Sequence, residues 1–360
     1  MLESKGKISV RQLMIIFIIA VYTPSARYLP TYVVGEAKQA AWLSPIITFI
    51  IFITLIYVSS KLFNKCKLKS YPEILNYMTS KFIGKVIVVF YILWVSYLLI
   101  WYVRYFGETL VSLVYPNINV NVFYLIMLYL VSMTVRSGIV VIARMSEVFF
   151  FIVTIATVAI LALLIPNVQI DNITPISSMD IIPVFKGSLA ATSLISITCF
   201  FFFSHEWSKK NEFLKQGIKA GIYILILETL IILASIGNLG HALISISAMS
   251  FWITVQHIEL LGFLTGFESM LLSAWLLTDF IIITISVYSA LNMFKSIFNL
   301  SHYKPFINIY LVIIYLFSWL IAKNIWELGE LSTVITIYIA IVGGTLPIFI
   351  FLIGKIRGKV

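Results

Sequence analysis

Two carboxylates stand inside long apolar runs: Glu228 within 218–239 and Asp279 within 268–292. A charge at the centre of a bilayer costs about 2.5–3.5 kcal/mol on insertion scales, so both are expected to face the interior of a helix bundle. There they can hold a proton, meet a cation or touch a ligand. Arg27 ends the run Tyr22-Thr23-Pro24-Ser25-Ala26-Arg27 in the first apolar stretch. Two readings are open for it: a clamp on a ligand carboxylate, or a counter-charge for Asp279 or Glu228. Pro24 removes a backbone hydrogen bond near mid-membrane, so the first helix is expected to break or kink at Thr23, Pro24 and Ser25. Irregular backbone at that depth is tolerated only where protein buries it or where it lines a cavity, and broken helices mark binding sites in transporters.

Helical spacing sets further polar and aromatic residues on common faces. Glu268, Trp275 and Asp279 share one face of the eighth run, and Trp94, Tyr97, Trp101, Arg104 and Glu108 share one face of the third. Arg104 and Glu108, four residues apart, either pair with each other or serve ligand contact and gating. The run Phe200 to Phe203 has packing as its default role, because Phe is abundant throughout the chain. His205 and Glu206, next to Lys209 and Lys210, read as a solvated helix end. The four histidines are scattered, Cys66 and Cys199 have no metal-ligand companions, and no Gly-rich phosphate loop occurs. An enzyme, a metal site and a cofactor are therefore not expected.

The elements that must position these residues are spans. Apolar residues make up 61% of the chain and charged residues 11%, with a mean hydropathy of +1.04, far from the balance of soluble domains. About ten transmembrane helices are expected, near 10–33, 41–60, 85–106, 119–135, 146–166, 187–204, 218–239, 268–292, 306–322 and 333–354, forming one membrane domain over 1–360. An even number puts both termini on one side. Twenty of the 25 Lys and Arg residues then fall in loops of that side, which the positive-inside rule makes cytoplasmic. The net charge of +10 thus records orientation and gives no reason to expect a nucleic-acid partner. On the other side, 167–186 reads as an irregular polar loop. Residues 248–264, with His257 and Glu259 among apolar neighbours, read as an interfacial or re-entrant helix.

Particular residues resemble those of the B subunits of spore germinant receptors, the GerAB-like branch of the amino acid/polyamine/organocation transporters. They are Tyr28-Leu29-Pro30 followed by Ala41-Trp42-Leu43-Ser44; Arg104 with Glu108; Gly138 followed by Ala143-Arg144 and Glu147; Asn172-Ile173-Thr174-Pro175 before Phe185-Lys186-Gly187; Phe267-Glu268 with Trp275; and Leu346-Pro347. Where many members have Gly-x-Gly in helix 1 and Gly-x-Glu in helix 6, this chain has Thr23-Pro24-Ser25 and Ile197-Thr198-Cys199. The family's Glu-Arg-x-Glu before helix 8 is reduced to Thr265-Gly266-Phe267-Glu268.

The resemblance implies an all-α, LeuT-like fold of two inverted five-helix repeats, about 10–166 and 187–354, with helices 1 and 6 broken around a germinant, typically an amino acid. It also implies receptor A and C subunits as partners in the inner membrane of a spore. The expected ligand site lies between Thr23, Pro24, Ser25 and Arg27, the mid-helix 6 residues Ser196 and Thr198, and the helix 3 face of Trp94, Tyr97 and Trp101. Arg104, Glu108, Arg144, Glu228, Glu268 and Asp279 are expected to serve coupling or structure. The function expected is a nutrient-sensing receptor subunit. The alternative on the same scaffold is an H+- or Na+-coupled amino acid permease, with Asp279 or Glu228 as its proton site.

Overall fold

Ser9 fixes the start of the first helix. Its hydroxyl accepts the Gln12 N–H at 3.2 Å while Gln12 Oε1 accepts the Ser9 N–H at 2.9 Å, so two otherwise orphaned donors are satisfied reciprocally. The computed structural model describes residues 6–65, 70–258, 266–324, 326–331 and 339–359. Its helices are α1 (Val10–Arg27), α2 (Leu29–Ala37), α3 (Ser44–Lys65), α4 (Tyr71–Met78), α5 (Lys81–Leu113), α6 (Val120–Ser137) and α7 (Ile139–Leu164). There follow α8 (Ile181–Ala190), α9 (Phe213–Ile246), α10 (Ser250–Gln256), α11 (Glu268–Phe298), α12 (Ile307–Leu320) and α13 (Leu346–Ile356). Seven helices among the described residues are long and apolar enough to cross a membrane, and shorter apolar helices lie at Lys304–Leu320 and Ile341–Ile356.

Helix α1 is the axis of the bundle. Only Arg11 and Gln12 of its residues escape burial, and it packs against α7, α9 and α11. The outer helices turn large apolar side chains away from the protein, among them Leu93, Ile155 and Ile309, a surface that only a hydrocarbon phase makes favourable. Helix α9 lies close to α3 because Gly217 and Gly221, four residues apart, leave room for Ile56 and Phe52. A Cβ at Gly217 would stand 2.6 Å from Ile56 Cγ2, and one at Gly221 would stand 2.9 Å from Phe52 Cδ1. This is the small-xxx-small device that lets membrane helices approach.

Helix 6 is irregular over most of its length. It enters as α8, and from Ala191 to Glu206 the backbone winds as a 3-10 helix, with Phe203 out of helical geometry at φ −111°, ψ 24°. Such runs seldom exceed three or four residues, because their hydrogen bonds are poorly aligned, and long ones mark hinges. The helical segment begins at Ile181, inside the stretch expected to be irregular loop, after short turns at Ile165–Asn167, Ile170–Asn172 and Ser178–Asp180. In the stretch expected to be an interfacial or re-entrant helix, α10 buries Phe251, Trp252 and Val255 in the bundle, where its apolar residues find protein neighbours on α9 and α11. Glu259 and Thr265 lie outside the described residues, as does Cys66.

One end of the bundle is tied by backbone. Residues Ile8–Ser9 pair in parallel with Trp207–Ser208, Ser208 Oγ donates to the Ile8 carbonyl at 3.0 Å, and Arg357 donates to the carbonyls of Met78 and Thr79. This end carries loops to which the sequence assigned its basic residues.

Candidate ligand site

The first helix is interrupted, but four residues later than its proline suggested. Pro24 lies within α1, whose hydrogen bonding continues to the Tyr28 N–H bonded to the Pro24 carbonyl. The interruption is at Tyr28, with φ −118° and ψ −22°, and α2 starts at Leu29-Pro30. Pro30 explains the place: it has no N–H to offer the Ala26 carbonyl, and its ring crowds that oxygen, so α1 cannot run on past Arg27. A proline at the start of α2 costs that helix nothing.

The last turn of α1 carries three polar contacts to the second half of the chain. Arg27 Nη2 donates to Asp279 Oδ2 of α11 at 2.7 Å, both side chains almost fully buried. Ser25 Oγ donates to Glu228 Oε1 of α9 at 2.7 Å, and Thr23 Oγ1 meets Thr278 Oγ1 of α11. The guanidinium lies 4.7 Å from the Trp275 ring centroid and 5.1 Å from that of Tyr105, close enough for cation–π attraction. Of the two readings open for Arg27, the structure realises the counter-charge with Asp279. Three polar atoms around this turn are buried with no hydrogen-bond partner among the described residues: Arg27 Nε, Trp275 Nε1 and Glu228 Oε2. Such groups are rare, because each bears the cost of lost hydration.

Above this level, aromatic rings close the way to the outside. Tyr28 packs edge-on to Trp101 at 5.5 Å, Trp101 stacks on Tyr105 at 4.7 Å, and the Trp101 indole donates to the Leu328 carbonyl at 3.2 Å. On the far side of Tyr28 and Tyr105 opens a vestibule of about 510 Å³, lined also by Thr31, Glu36, Ser247 and Trp326. Below lies a small cavity of about 20 Å³ between Ala20, Leu98, Tyr102, Cys199, Phe200 and Ser286. Ala20 is eight residues before Tyr28, about 12 Å along the helix. A cavity of that size holds a single water, not an amino acid.

The other expected residues fall in different places. Helix 3 turns Val95, Leu98 and Tyr102 to the cavity, one residue round from the expected Trp94, Tyr97 and Trp101. Trp94 packs edge-on against Tyr91 at 5.7 Å, and Tyr97 is half-buried against the core. Thr198 is buried within hydrogen-bonding reach of Tyr91. The side chain of Ser196 lies outside the described residues. Arg104 pairs with Glu108 at 2.6 Å and donates to the Lys323 carbonyl at 3.0 Å, which realises the structural reading. Arg144 is exposed, and Glu268 is half-buried in the first turn of α11.

Sequence reasoning passed over Phe200, which lines the cavity, while Phe201, Phe202 and Phe203 pack on Tyr71, Tyr91 and Tyr288. Glu206 is not a solvated helix end: it accepts the Tyr288 hydroxyl at 2.5 Å. Burial pushes its pKa up from the ordinary 4.5, partly offset by that bond and by Lys295. Burial, with Lys295 and Lys210, pushes His205 below its ordinary 6.5.

The chain was compared with known proteins. It is 23% identical to spore germination protein KB of Bacillus subtilis (strain 168) over 362 residues, covering 99% of this chain and 96% of that one. It is 22% identical to the putative spore germination protein YfkT of the same organism, covering 94% of each. Among solved structures, MhsT in complex with L-phenylalanine superposes with a TM-score of 0.71 at 13% identity, over 99% of this chain and 90% of MhsT. The nucleobase-cation-symport-1 family transporter Mhp1 gives 0.56 at 14%, over 98% and 80%. These likenesses show the LeuT-like membrane fold. The spore germination protein family, Spore_permease, matches residues 7–326, and the chain, an integral membrane protein, belongs to that family.

Proposed function

We propose that this chain is the nutrient-sensing membrane subunit of a germinant receptor and that it binds an amino acid at the end of α1. The observation that carries the reading is the set of unpartnered buried atoms on Arg27, Trp275 and Glu228. Arg27 Nε and Trp275 Nε1 are donors suited to a carboxylate, and Glu228 Oε2, with Asp279, is an acceptor suited to an ammonium. A zwitterion satisfies both kinds at once. The ligand's side chain then points toward Ala20, Tyr102 and Phe200, whose cavity must widen to take it.

Sensing follows from that requirement. Ligand shifts an equilibrium only by binding its two states unequally, and a site closed by Tyr28, Trp101 and Tyr105 cannot bind without a change of state. That change is passed to partner subunits of the receptor, the A and C subunits, in the inner spore membrane. The test is the germination dose response of spores carrying Arg27→Lys and Trp275→Phe. Each variant is expected to raise the half-maximal amino acid concentration about tenfold or more, the loss of one hydrogen bond to a charged group, with protein abundance unchanged. An unaltered dose response in both places the ligand elsewhere.

A second reading, the coupled permease, is favoured by Glu228, a fully buried carboxylate with one unpartnered oxygen that can carry a proton or face a cation. Uptake of labelled amino acid into proteoliposomes, abolished by Glu228→Gln, would support it over the receptor.

A further inference from the structure

At the inner end of α11 two cavities share a wall residue, Leu300. The first, about 470 Å³, is a groove between α11 and α12 walled by Phe294, Phe298, Phe306, Ile309 and Ile313. It opens to the bilayer side of the protein, where Phe298 and Ile309 are 64% and 62% exposed. The second, about 560 Å³, turns beneath the bundle and is walled by Glu73, Asn76, His205, Asn292, Lys295 and Asn299. Asn299, in the left-handed conformation at φ 51°, ends α11 and turns the chain between the two. An apolar slot and a polar basin, contiguous at the end of the bundle that carries basic loops, match the two halves of an amphiphile.

We propose that this paired cavity binds a glycerophospholipid, with an acyl chain in the groove and its phosphate facing Lys295. Lys295 makes no ion pair among the described residues. It is half-buried in the polar wall, where its charge acts on His205 of the same basin and on the neighbouring Glu206. Lys304, exposed two residues before the groove residue Phe306, adds positive charge at the mouth. The carboxylates Glu73 and Glu206 act on the His205 and Lys295 charges, so this end holds both signs and favours a head group that carries both an ammonium and a phosphate, as in phosphatidylethanolamine. The bound lipid braces the inner end of the helix that carries Asp279, sixteen residues away or about 24 Å along its axis.

Native mass spectrometry of the purified protein, with quantitative lipid extraction, tests this. The wild type is expected to retain phosphatidylethanolamine. Lys295→Gln and the groove-filling Ile309→Trp are each expected to lower retention about fivefold or more. Ile155→Trp, on a lipid-facing surface of α7, should leave it unchanged. Equal retention in all four proteins overturns the proposal, and loss in Ile309→Trp alone overturns the assignment of the phosphate to Lys295. Thermal unfolding of the wild type gives an arm that needs no variant. Phosphatidylethanolamine in detergent micelles should raise Tm more than phosphatidylglycerol does, and inorganic phosphate should leave it unmoved. Absence of a lipid-induced rise, or an equal rise with inorganic phosphate, overturns the proposal.

Discussion

Arg27 and Asp279 form an ion pair at 2.7 Å between side chains that are 252 residues apart in the chain and almost wholly out of contact with solvent. The pair joins the last turn of α1 to the middle of α11, so the end of the interrupted helix is held by a residue of the second half. A buried pair of this kind costs much desolvation, which its mutual attraction barely offsets, and breaking it leaves an uncompensated charge.

Asp279→Ala alone should therefore destabilise the protein by about 3–5 kcal/mol. The double variant Arg27→Met/Asp279→Leu, which removes both charges and keeps volume, should recover most of that loss. Thermal unfolding in detergent measures both. A double variant as unstable as the single would show that the contact, not the orphaned charge, sets the cost.

Glu228 offers the opposite contrast. Gln in its place keeps an acceptor for Ser25 Oγ, and Glu228→Gln should unfold at a temperature no lower than that of the wild type. Glu228→Ala strands the Ser25 hydroxyl and should cost about 1–3 kcal/mol. Equal Tm losses in the two variants would contradict this account.

Gly221→Leu should drive α9 away from Phe52 and destabilise the bundle by about 1–3 kcal/mol or more. Gly35→Ala, where nothing lies within 4 Å of an added Cβ, serves as the control and should be near neutral.

His205, which lines the polar basin, and its neighbour Glu206 predict a pH effect. Its folded-state pKa is raised, so the stability of its protonated form is fully present below 4.5 and is lost as pH rises through the raised value. His205 acts in the other direction: its pKa is lowered, so its contribution is present above 6.5 and is lost as pH falls through the lowered value. Profiles of Tm against pH for Glu206→Gln should lack the carboxylate component on the acid side and keep the histidine one. A profile identical to the wild type would count against the burial of this carboxyl.

On a background with Cys66→Ser, a cysteine at Glu36 in the vestibule should react with a reagent that cannot cross the membrane, and one at Lys210 should not. Labelling of the latter in intact cells would reverse the assignment of sides.

The helices were legible because apolar runs of membrane length have few alternatives, and Arg104 with Glu108 was legible because their spacing is local. The interruption of helix 1 was legible in kind but not in place. Pro24 carries the signal for a break, yet the helix runs on to Tyr28, and Pro30, which stops α1, stands within the Tyr28-Leu29-Pro30 motif. The 3-10 winding of 191–206 had no Gly or Pro to announce it. The pairings of Ser25 with Glu228 and Thr23 with Thr278 join residues more than 200 positions apart, and helical spacing carries no information about partners on other helices. On helix 3, Trp101 packs on Tyr28 and Trp94 on Tyr91, while the adjoining Leu98 and Tyr102 meet the small cavity, a division that helical spacing alone does not reveal. The Gly217-xxx-Gly221 spacing is a signal of close helix approach readable in the sequence.

The parallel pairing of Ile8–Ser9 with Trp207–Ser208 includes Ser9, the cap of α1, and directly follows the 3-10 run. It yokes the two irregular helices at their inner ends as a clasp yokes two straps. A displacement of the inner half of either helix drags the other with it unless two residues of ladder come apart. The two helices are thus joined at both ends, by strand pairing on the inner side and, beyond Tyr28, by the packing of α2 on α8 on the outer side. Turning α2 about Tyr28 would break side-chain bonds, from Thr31 to Ser247 and from Tyr32 to Gly329, and the apolar packing of Leu29, Val33 and Val34, whereas the inner ends are held by main-chain hydrogen bonds, so the two faces are latched by different kinds of contact.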